Sequence, residues 1–354
     1  KHRDQGQPEI EPIYTIQDVM HSLRHFVGVD YERPMWIGPG VRLTFYDAGH
    51  ILGSALCAFD ITENGSSYRL LFTGDLGRAG LAILRDPQHV PDVTYLITES
   101  TYGGRTHGSV EDAEHELQRV VNATYKRGGK VIIPAFSVGR TQELVYALHR
   151  LHNAGAIPNM PVVVDSPLST NATDVFRLHP EYYDAETLDM MERERDPFGF
   201  SQLRYIRSVE ESKSLNTLDQ PMIIISASGM CESGRILHHL KNNIEDSRNT
   251  VLFVGYQAEN TLGRRILEGH DTISIFGSRY RLEAHVEAID GYSAHADHDE
   301  LLGYIRALGP ERLEQVFIVH GDEENAQALS KGLQSLGVSR TYIPELGEQV
   351  AIAS

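Results

Sequence analysis

The sequence predicts an α/β fold in which one α/β domain is inserted into a second domain of mixed strands and helices. Short extended runs separated by turns fill residues 42–99, and alternating strand and helix patterns follow from residue 110. Extended segments return after about residue 269, followed by a buried run and a helix. A strand-rich beginning and end around an alternating middle part indicates an insertion.

The first predicted elements are a helix and the short strands of one sheet. A helix is expected at 16–26. Apolar or alternating runs, divided by turn residues such as Asn64-Gly65, predict strands at 42–47, 55–61, 68–73 and 94–99.

The middle part alternates between helical and extended patterns. Helical spacing of Leu117, Val120, Val121 and Thr124 begins it, and a second helix is predicted at 140–151. Short buried runs predict parallel strands at 130–134, 161–165, 221–226 and 250–255.

The last part returns to strands and one helix. Alternation at 284–288 and an apolar run at 315–319 predict strands, and a helix follows at 322–336. We therefore predict three sequence segments: the first part of the outer domain at 1–108, the inserted domain at 109–271, and the last part of the outer domain at 272–354.

Composition limits the classes of function. The 354 residues, of which 41% are hydrophobic, can form two domains, and a net charge of -17 argues against a broad electrostatic grip on nucleic acid. A local basic cleft stays open. Cys57 and Cys231 are the only cysteines, which excludes a disulfide framework. With no membrane-spanning run or signal peptide, we expect a cytoplasmic protein, and the polar start at 1–8 resembles a linker.

Polar residues follow three of the predicted strands where each strand ends. Asp75, Glu99 and His320 come after the apolar runs at 70–73, 95–98 and 316–319. Carboxyl ends of strands converge on one edge of a sheet, so these side chains are expected in one cleft. Imidazole and carboxylate groups are the usual ligands of Zn²⁺, which acidifies a bound water. The sequence thus favours a metal-dependent hydrolase, with His50 and His295 as further members.

Each of these residues alone also has an ordinary structural explanation. His50 could be a loop residue bonded to backbone, and Asp75 between two glycines could form an Asx-turn. Glu99 could cap the following turn, and the residues after His320 could simply begin a helix. The set of residues together is the stronger indication.

Gly-rich turns provide a second group of candidates. Ser228 and Arg235 lie in a loop that joins an apolar strand to a helix, where free backbone N–H groups can hold a phosphate. Arg140 is expected in the first turn of a helix, where the helix dipole disfavours a cation unless an anion binds. Well-formed loops with surface arginines explain the same residues, and both interpretations stay open.

These motifs resemble the β-CASP branch of the metallo-β-lactamase-fold nucleases, a group of RNA-cleaving enzymes. The run around His50 (Asp-Ala-Gly-His-Ile-Leu-Gly-Ser) resembles the third metal motif, and Gly-Asp-Leu-Gly around Asp75 resembles the fourth. Thr-Glu-Ser around Glu99, Ser-Ala-His-Ala around His295 and Val-His-Gly-Asp around His320 are similar to the three β-CASP motifs. The resemblance covers nearly the whole chain.

The resemblance implies a fold, a cofactor and roles for residues. It implies a metallo-β-lactamase αββα sandwich, lacking its N-terminal part here, with an inserted β-CASP α/β domain. His50, Asp75 and His320 would bind two zinc ions, with Asp75 bridging them. His295 would be the general acid, oriented by Glu99. The histidine at 320 is typical of the RNA-acting branch, and Arg140, Ser228 and Arg235 are weaker candidates for phosphate contacts.

The chain departs from the family pattern in its first residues. The family's leading signature, His-x-His-x-Asp-His, does not occur among the 49 residues before His50. His21 and His25 lie four apart, but an exposed helical face explains them better than a replacement site. We expect the chain to begin after about the first quarter of a family member, and these residues alone to bind metal weakly and be inactive.

The sequence therefore predicts zinc-dependent hydrolysis of single-stranded RNA in processing or degradation. The first alternative is a catalytically inactive scaffold or RNA-binding subunit. It is disfavoured because a cluster of carboxylates and imidazoles without a cation is costly. A second alternative, a hydrolase of small esters or thioesters, is disfavoured by the large insert. A homodimer or a complex with another subunit stays open.

Overall fold

The computed structural model describes residues 12–352, so the predicted linker at 1–8 lies outside the described residues. Strands are numbered in chain order: Met35–Gly38 (β1), Val41–Asp47 (β2), Ala55–Glu63 (β3), Ser66–Phe72 (β4), Tyr95–Thr98 (β5), Lys130–Pro134 (β6), Val162–Val164 (β7), Leu203–Tyr205 (β8), Met222–Ser226 (β9), Thr250–Phe253 (β10), Thr272–Ile275 (β11), Ser278–Arg281 (β12), His285–Ala288 (β13), Gln315–Ile318 (β14) and Thr341–Tyr342 (β15).

The α-helices are numbered in the same way: Ile16–Ser22 (α1), Val110–Lys126 (α2), Arg140–Asn153 (α3), Pro167–Leu178 (α4), Ala185–Glu194 (α5), Val209–Leu215 (α6), Ile236–Asn243 (α7), Leu262–Leu267 (α8), His298–Leu308 (α9) and Glu323–Ser335 (α10). The predicted strands and the later helices are confirmed, with ends that differ by one or two residues. The helix predicted at 16–26 is shorter, because α1 is followed by a 3-10 turn at Leu23–His25.

The first sheet has seven strands in the order β1-β2-β3-β4-β5-β14-β15. Strands β1 to β4 are antiparallel neighbours, whereas β4, β5, β14 and β15 run parallel. One face of this sheet packs on α9 and α10 through a core that includes Leu71, Leu96, Val316, Leu301 and Leu329. Parallel pairing of β4, β5 and β14 brings their carboxyl ends to one edge.

The second sheet has six parallel strands in the order β13-β10-β6-β9-β7-β8. All residues of β6 and β9 are buried, as expected for strands covered by helices on both faces. Alternate residues of β6 enter different cores, since Val131 and Ile133 pack on one face and Ile132 on the other. This sheet is the inserted α/β unit that the alternating pattern predicted.

The second sheet extends beyond residue 271, where the sequence-based boundary was drawn. The strand β13, which that division gave to the last part of the outer domain, pairs in parallel with β10 along four residue pairs from Thr250↔His285 to Phe253↔Ala288. The hairpin of β11 and β12 packs against the core of this sheet through Ile273 and Ile275. Short-range patterns do not reveal which sheet an isolated strand joins, and the domain limits stay a prediction.

Candidate metal and catalytic centre

Three predicted site residues lie at the shared carboxyl edge of β4, β5 and β14. The register pairs Phe72 with Ile97 and Ile318 with Thr98, so these strands end side by side. Asp75, Glu99 and His320 follow within three residues of the strand ends. The fold therefore assembles residues distant in sequence, as their positions after the apolar runs predict.

Asp75 lies between two histidines. Its Oδ2 atom is 3.8 Å from Nε2 of His50, and its Oδ1 atom is 3.5 Å from Nδ1 of His320. Each carboxylate oxygen thus faces a different imidazole. A carboxylate in this arrangement can contribute one oxygen to each of two neighbouring cations.

The loop that holds His50 is fixed by local hydrogen bonds and by a close backbone approach. The backbone N–H of His50 donates to Oγ of Ser54 over 3.1 Å, and Gly49 N–H donates to the Asp47 carboxylate over 2.9 Å. Gly77, two residues after Asp75, lies so close that a Cβ there would be 2.0 Å from the Gly49 carbonyl oxygen. The loops of His50 and Asp75 therefore pack directly on each other.

The environment of the His50 imidazole favours its neutral form, which can bind a metal cation. Burial lowers its pKa below the ordinary value, and the neighbouring His295 lowers it further. Its Nδ1 atom is buried beside the backbone of Ala294 and makes no hydrogen bond with other described residues. A neutral, preoriented imidazole of this kind is a suitable metal ligand.

His295 is paired with Glu99. Its Nδ1 atom lies 3.0 Å from each carboxylate oxygen of Glu99, which is 1% exposed. Backbone N–H groups of Leu76 and Thr101 donate to the same carboxylate over 2.6 and 3.3 Å. Burial alone would lower the pKa of His295 and raise that of Glu99. The contact between them outweighs burial, so the pKa of His295 is raised and that of Glu99 is lowered. The pair therefore favours imidazolium beside carboxylate.

The residues present fit a metal site. One nitrogen or oxygen atom from each of His50, Asp75 and His295 lies within 4.8 Å of the others. Because His295 is engaged by Glu99, the second histidine available beside Asp75 is His320, whose Nδ1 atom is 3.5 Å from Oδ1. The His295 ring is 4.4 Å from that of His50 and 6.3 Å from that of His320. His320 is the outermost member, with a side chain that is 62% exposed. Nitrogen and carboxylate donors of this kind suit zinc. All five residues predicted for the centre are thus neighbours.

A cleft of about 830 Å³ adjoins this centre. His50 and His295 line one side, and loops that follow β6, β7, β9 and β10 line the other. Ligands commonly bind at the carboxyl ends of parallel strands, which is where these loops lie. The cleft therefore joins the metal centre of the first sheet to the strand ends of the second.

The three predicted phosphate contacts line this cleft, and each already makes polar contacts within the protein. Arg140 pairs with Glu143. Arg235 lies 2.6 Å from the buried Asp165 and also donates to two backbone carbonyls. Ser228 Oγ accepts from the backbone N–H of Glu232 and Ser233 over 3.1 and 3.3 Å. Their role in binding phosphate stays a prediction.

Three further residues beside the centre were not predicted from the sequence. Arg105 is exposed and lines a smaller pocket of about 270 Å³ together with His320. Phe136 and Tyr256 are exposed aromatic residues of the main cleft. A signal existed for the two aromatics, because each lies within two residues of the end of a predicted strand of the inserted domain. No helix among the described residues is both long enough and apolar enough to cross a membrane.

Comparisons with known proteins agree with the geometry. Residues 141–266 match the model of the Beta-Casp domain, and residues 279–344 match that of the Zn-dependent metallo-hydrolase RNA specificity domain. The chain is 34% identical to ribonuclease TTHA0252 of Thermus thermophilus over 342 residues, which are 97% of this chain and 76% of that protein.

Two archaeal proteins named transcription termination factor FttA are similarly related. The chain is 37% identical to that of Methanosarcina mazei over 86% of this chain, and 36% identical to that of Methanocaldococcus jannaschii over 94%. The alignments cover 49% and 53% of the two archaeal proteins. The chain thus spans about half the length of these relatives.

Proposed function

Because this chain belongs to the β-CASP family of metal-dependent ribonucleases, we propose that the protein hydrolyses phosphodiester bonds of single-stranded RNA with two zinc ions as cofactor. The observation that carries this proposal is the position of Asp75, whose two oxygens face His50 and His320. The paired His295 and Glu99 stand beside it. RNA processing or degradation fits the ribonuclease named among the relatives.

His50, Asp75 and His320 would hold the zinc ions. When bound, zinc supplies a Lewis acid that polarises a phosphoryl oxygen and makes water more acidic. The buried His50 imidazole, with its lowered pKa, keeps a nitrogen lone pair available near neutral pH. The loop packing at Gly77 holds His50 against the loop of Asp75.

His295 would donate a proton to the leaving 3′-oxygen. Hydrogen bonding to Glu99 raises its pKa despite its burial, so the imidazolium persists closer to neutral pH. Because Nδ1 faces Glu99, Nε2 is the atom left to donate the proton. Glu99 is a positioning residue, and its own orientation is fixed by the N–H groups of Leu76 and Thr101.

Full-length protein loaded with zinc tests this proposal against both alternatives. We expect it to cut a labelled single-stranded RNA and to leave an ester reporter intact. His295→Ala should reduce the rate about 100-fold or more, because general acids contribute about that much. Cleavage as fast with His295→Ala as without it would show that the role of His295 is wrong. An inactive wild-type protein that still binds RNA would support the scaffold alternative.

Metal analysis gives a second readout that does not depend on activity. Asp75→Asn should lower the zinc content of the full-length protein, because it removes a charged ligand between two histidines. Asp92→Asn is a matched control, since the Asp92 side chain is 79% exposed and lies on the surface. Equal zinc contents in the two variants would contradict the assignment of Asp75.

A further inference from the structure

Two exposed aromatic residues face the cleft beside the metal centre. Phe136 follows β6 and Tyr256 follows β10, and their side chains are 47% and 42% exposed. Both line the same cleft as His50 and His295. Large aromatic rings are costly to leave in water, so a position of this kind at a proposed substrate site suggests a ligand that covers them.

The two rings are held on connected loops. A Cβ on Gly229 would lie 3.1 and 3.2 Å from two ring carbons of Phe136, so that ring rests against the backbone of Gly229. The Gln257 side-chain amide donates to the carbonyl oxygens of Gly229 and Tyr256, each over 3.1 Å. One buried side chain therefore ties together the supports of both aromatic residues. Such preorganisation lowers the entropic cost of binding.

The charges of the cleft argue against recognition through phosphates alone. Arg140 and Arg235 are the arginines that line it, and no lysine among the described residues does so. Both arginines are paired with carboxylates, Arg140 with Glu143 and Arg235 with Asp165. The whole chain has a net charge of -17. A polyanion held in this cleft thus needs a source of affinity other than free cations.

We propose that Phe136 and Tyr256 are stacking surfaces for unpaired bases of the RNA, an inference that rests on the proposed function. Stacking on aromatic rings tolerates any base, because every base has a π-face. The exposed apolar side chains of Val138 and Leu168 line the same cleft and extend this surface. Paired bases are stacked on each other and cannot present their faces, so the cleft selects single strands.

Kinetics on two matched RNAs test the proposal in the full-length protein. One substrate is a single-stranded oligouridylate, and the other is the same strand with the bases removed at consecutive positions. Phe136→Ala and Tyr256→Ala should each raise KM for the intact RNA about tenfold, with little change in kcat. The abasic RNA should show a raised KM with wild-type protein and no further increase with either variant.

Other substitutions separate stacking from apolar contact and from misfolding. Tyr256→Phe and Phe136→Trp keep a π-face and should retain the wild-type KM, whereas Phe136→Leu should behave like Phe136→Ala. Tyr125→Ala is the matched control, because Tyr125 is 41% exposed on α2 and lines none of the described pockets near the centre. Equal KM values for Phe136→Leu and wild type, or an equal effect of the alanine variants on abasic RNA, would overturn the proposal.

A binding measurement distinguishes failure of this inference from failure of the proposed function. RNA that contains 2-aminopurine should lose fluorescence on binding to the His295→Ala protein, and Phe136→Ala and Tyr256→Ala should remove that loss. Quenching without cleavage by wild-type protein would support stacking while contradicting the nuclease assignment. Cleavage by wild-type protein with no quenching would contradict stacking alone, and no binding of RNA at all would contradict both.

Discussion

Both carboxylate oxygens of Glu99 lie 3.0 Å from Nδ1 of His295. The carboxylate is buried and is also bonded to two backbone N–H groups, so the imidazole has one defined orientation. The residues are separated by 196 positions in sequence. This contact links the end of β5 to the segment before α9 and orients the imidazole that we propose as the proton donor.

We predict that Glu99→Gln shifts the pH dependence of RNA cleavage. Glu99 raises the pKa of His295, so activity of the metal-loaded protein should fall as pH rises through that pKa. Removing the carboxylate charge lowers the pKa, so this alkaline limb should move to lower pH, with kcat reduced about 10- to 100-fold. The pH profile of kcat measures both effects.

Glu311→Gln is a suitable control for this change. The Glu311 side chain is 75% exposed and lies in the turn between α9 and β14, where its carboxylate is 4.0 Å from Arg312. This variant should keep the wild-type profile. An unchanged alkaline limb in Glu99→Gln would show that Glu99 does not act through His295.

We predict that Asp165→Asn destabilises the inserted sheet strongly. Asp165 has no solvent exposure and lies 2.6 Å from both Arg235 and His239. Removing one partner of a buried ion pair costs about 3–5 kcal/mol, because the other charge stays buried without compensation. Urea denaturation at neutral pH measures the loss. Asp219→Asn, which removes an exposed partner of Arg248, should cost no more than about 1 kcal/mol.

The Asp165 carboxylate should also affect how the stability of the protein changes in acid. Burial alone would raise the pKa of Asp165, but hydrogen bonds from His239, Ser212 and Arg235 hold it below its ordinary value. A carboxyl with a lowered pKa stabilises the fold fully above its unfolded-state pKa of about 3.9, and this contribution is lost as pH falls through the folded value. Stability of Asp165→Asn should therefore change less below about pH 4 than that of wild type. Parallel curves would contradict this.

The sequence alone predicts which residues form the centre, but it does not predict which arginines of the cleft are paired with carboxylates. Asp75, Glu99 and His320 follow apolar runs, and parallel strand ends must meet at one edge, so local pattern alone brings them together. The pairing of Arg235 with Asp165 joins the residue before α7 to the residue after β7, 70 positions away in the sequence. No local signal reveals that contact, so the sequence left two interpretations of Arg235 open, a phosphate contact and an ordinary surface arginine.

We predict that Gly77→Ala weakens metal binding without touching a ligand. A Cβ at residue 77 would lie 2.0 Å from the Gly49 carbonyl oxygen and 2.6 Å from the backbone nitrogen of His50. The His50 loop must therefore move away from Asp75. Overpacking of this kind costs about 1–3 kcal/mol, which corresponds to about 5- to 150-fold weaker zinc affinity in a competition titration if the strain opposes the metal-bound arrangement. Gly303→Ala is the control, since a Cβ there meets no atom within 4 Å. Equal zinc affinities in these two variants would contradict the coupling of the loops.

We predict that Arg105→Ala weakens RNA binding, whereas Arg235→Ala lowers the stability of the protein. Arg105 is exposed beside His320 and makes no ion pair with any residue in 12–352, so its guanidinium is available to a phosphate. Arg105→Ala should raise KM for RNA about tenfold and reduce the slope of log KM against log salt concentration by about 1, because one phosphate contact is lost. Arg235→Ala should leave that slope unchanged and instead lower the urea midpoint, because it strands the buried Asp165 carboxylate. Equal salt slopes for Arg105→Ala and wild type would show that Arg105 does not contact the RNA backbone. A reduced slope for Arg235→Ala would show that the pairing of Arg235 with Asp165 opens when RNA binds.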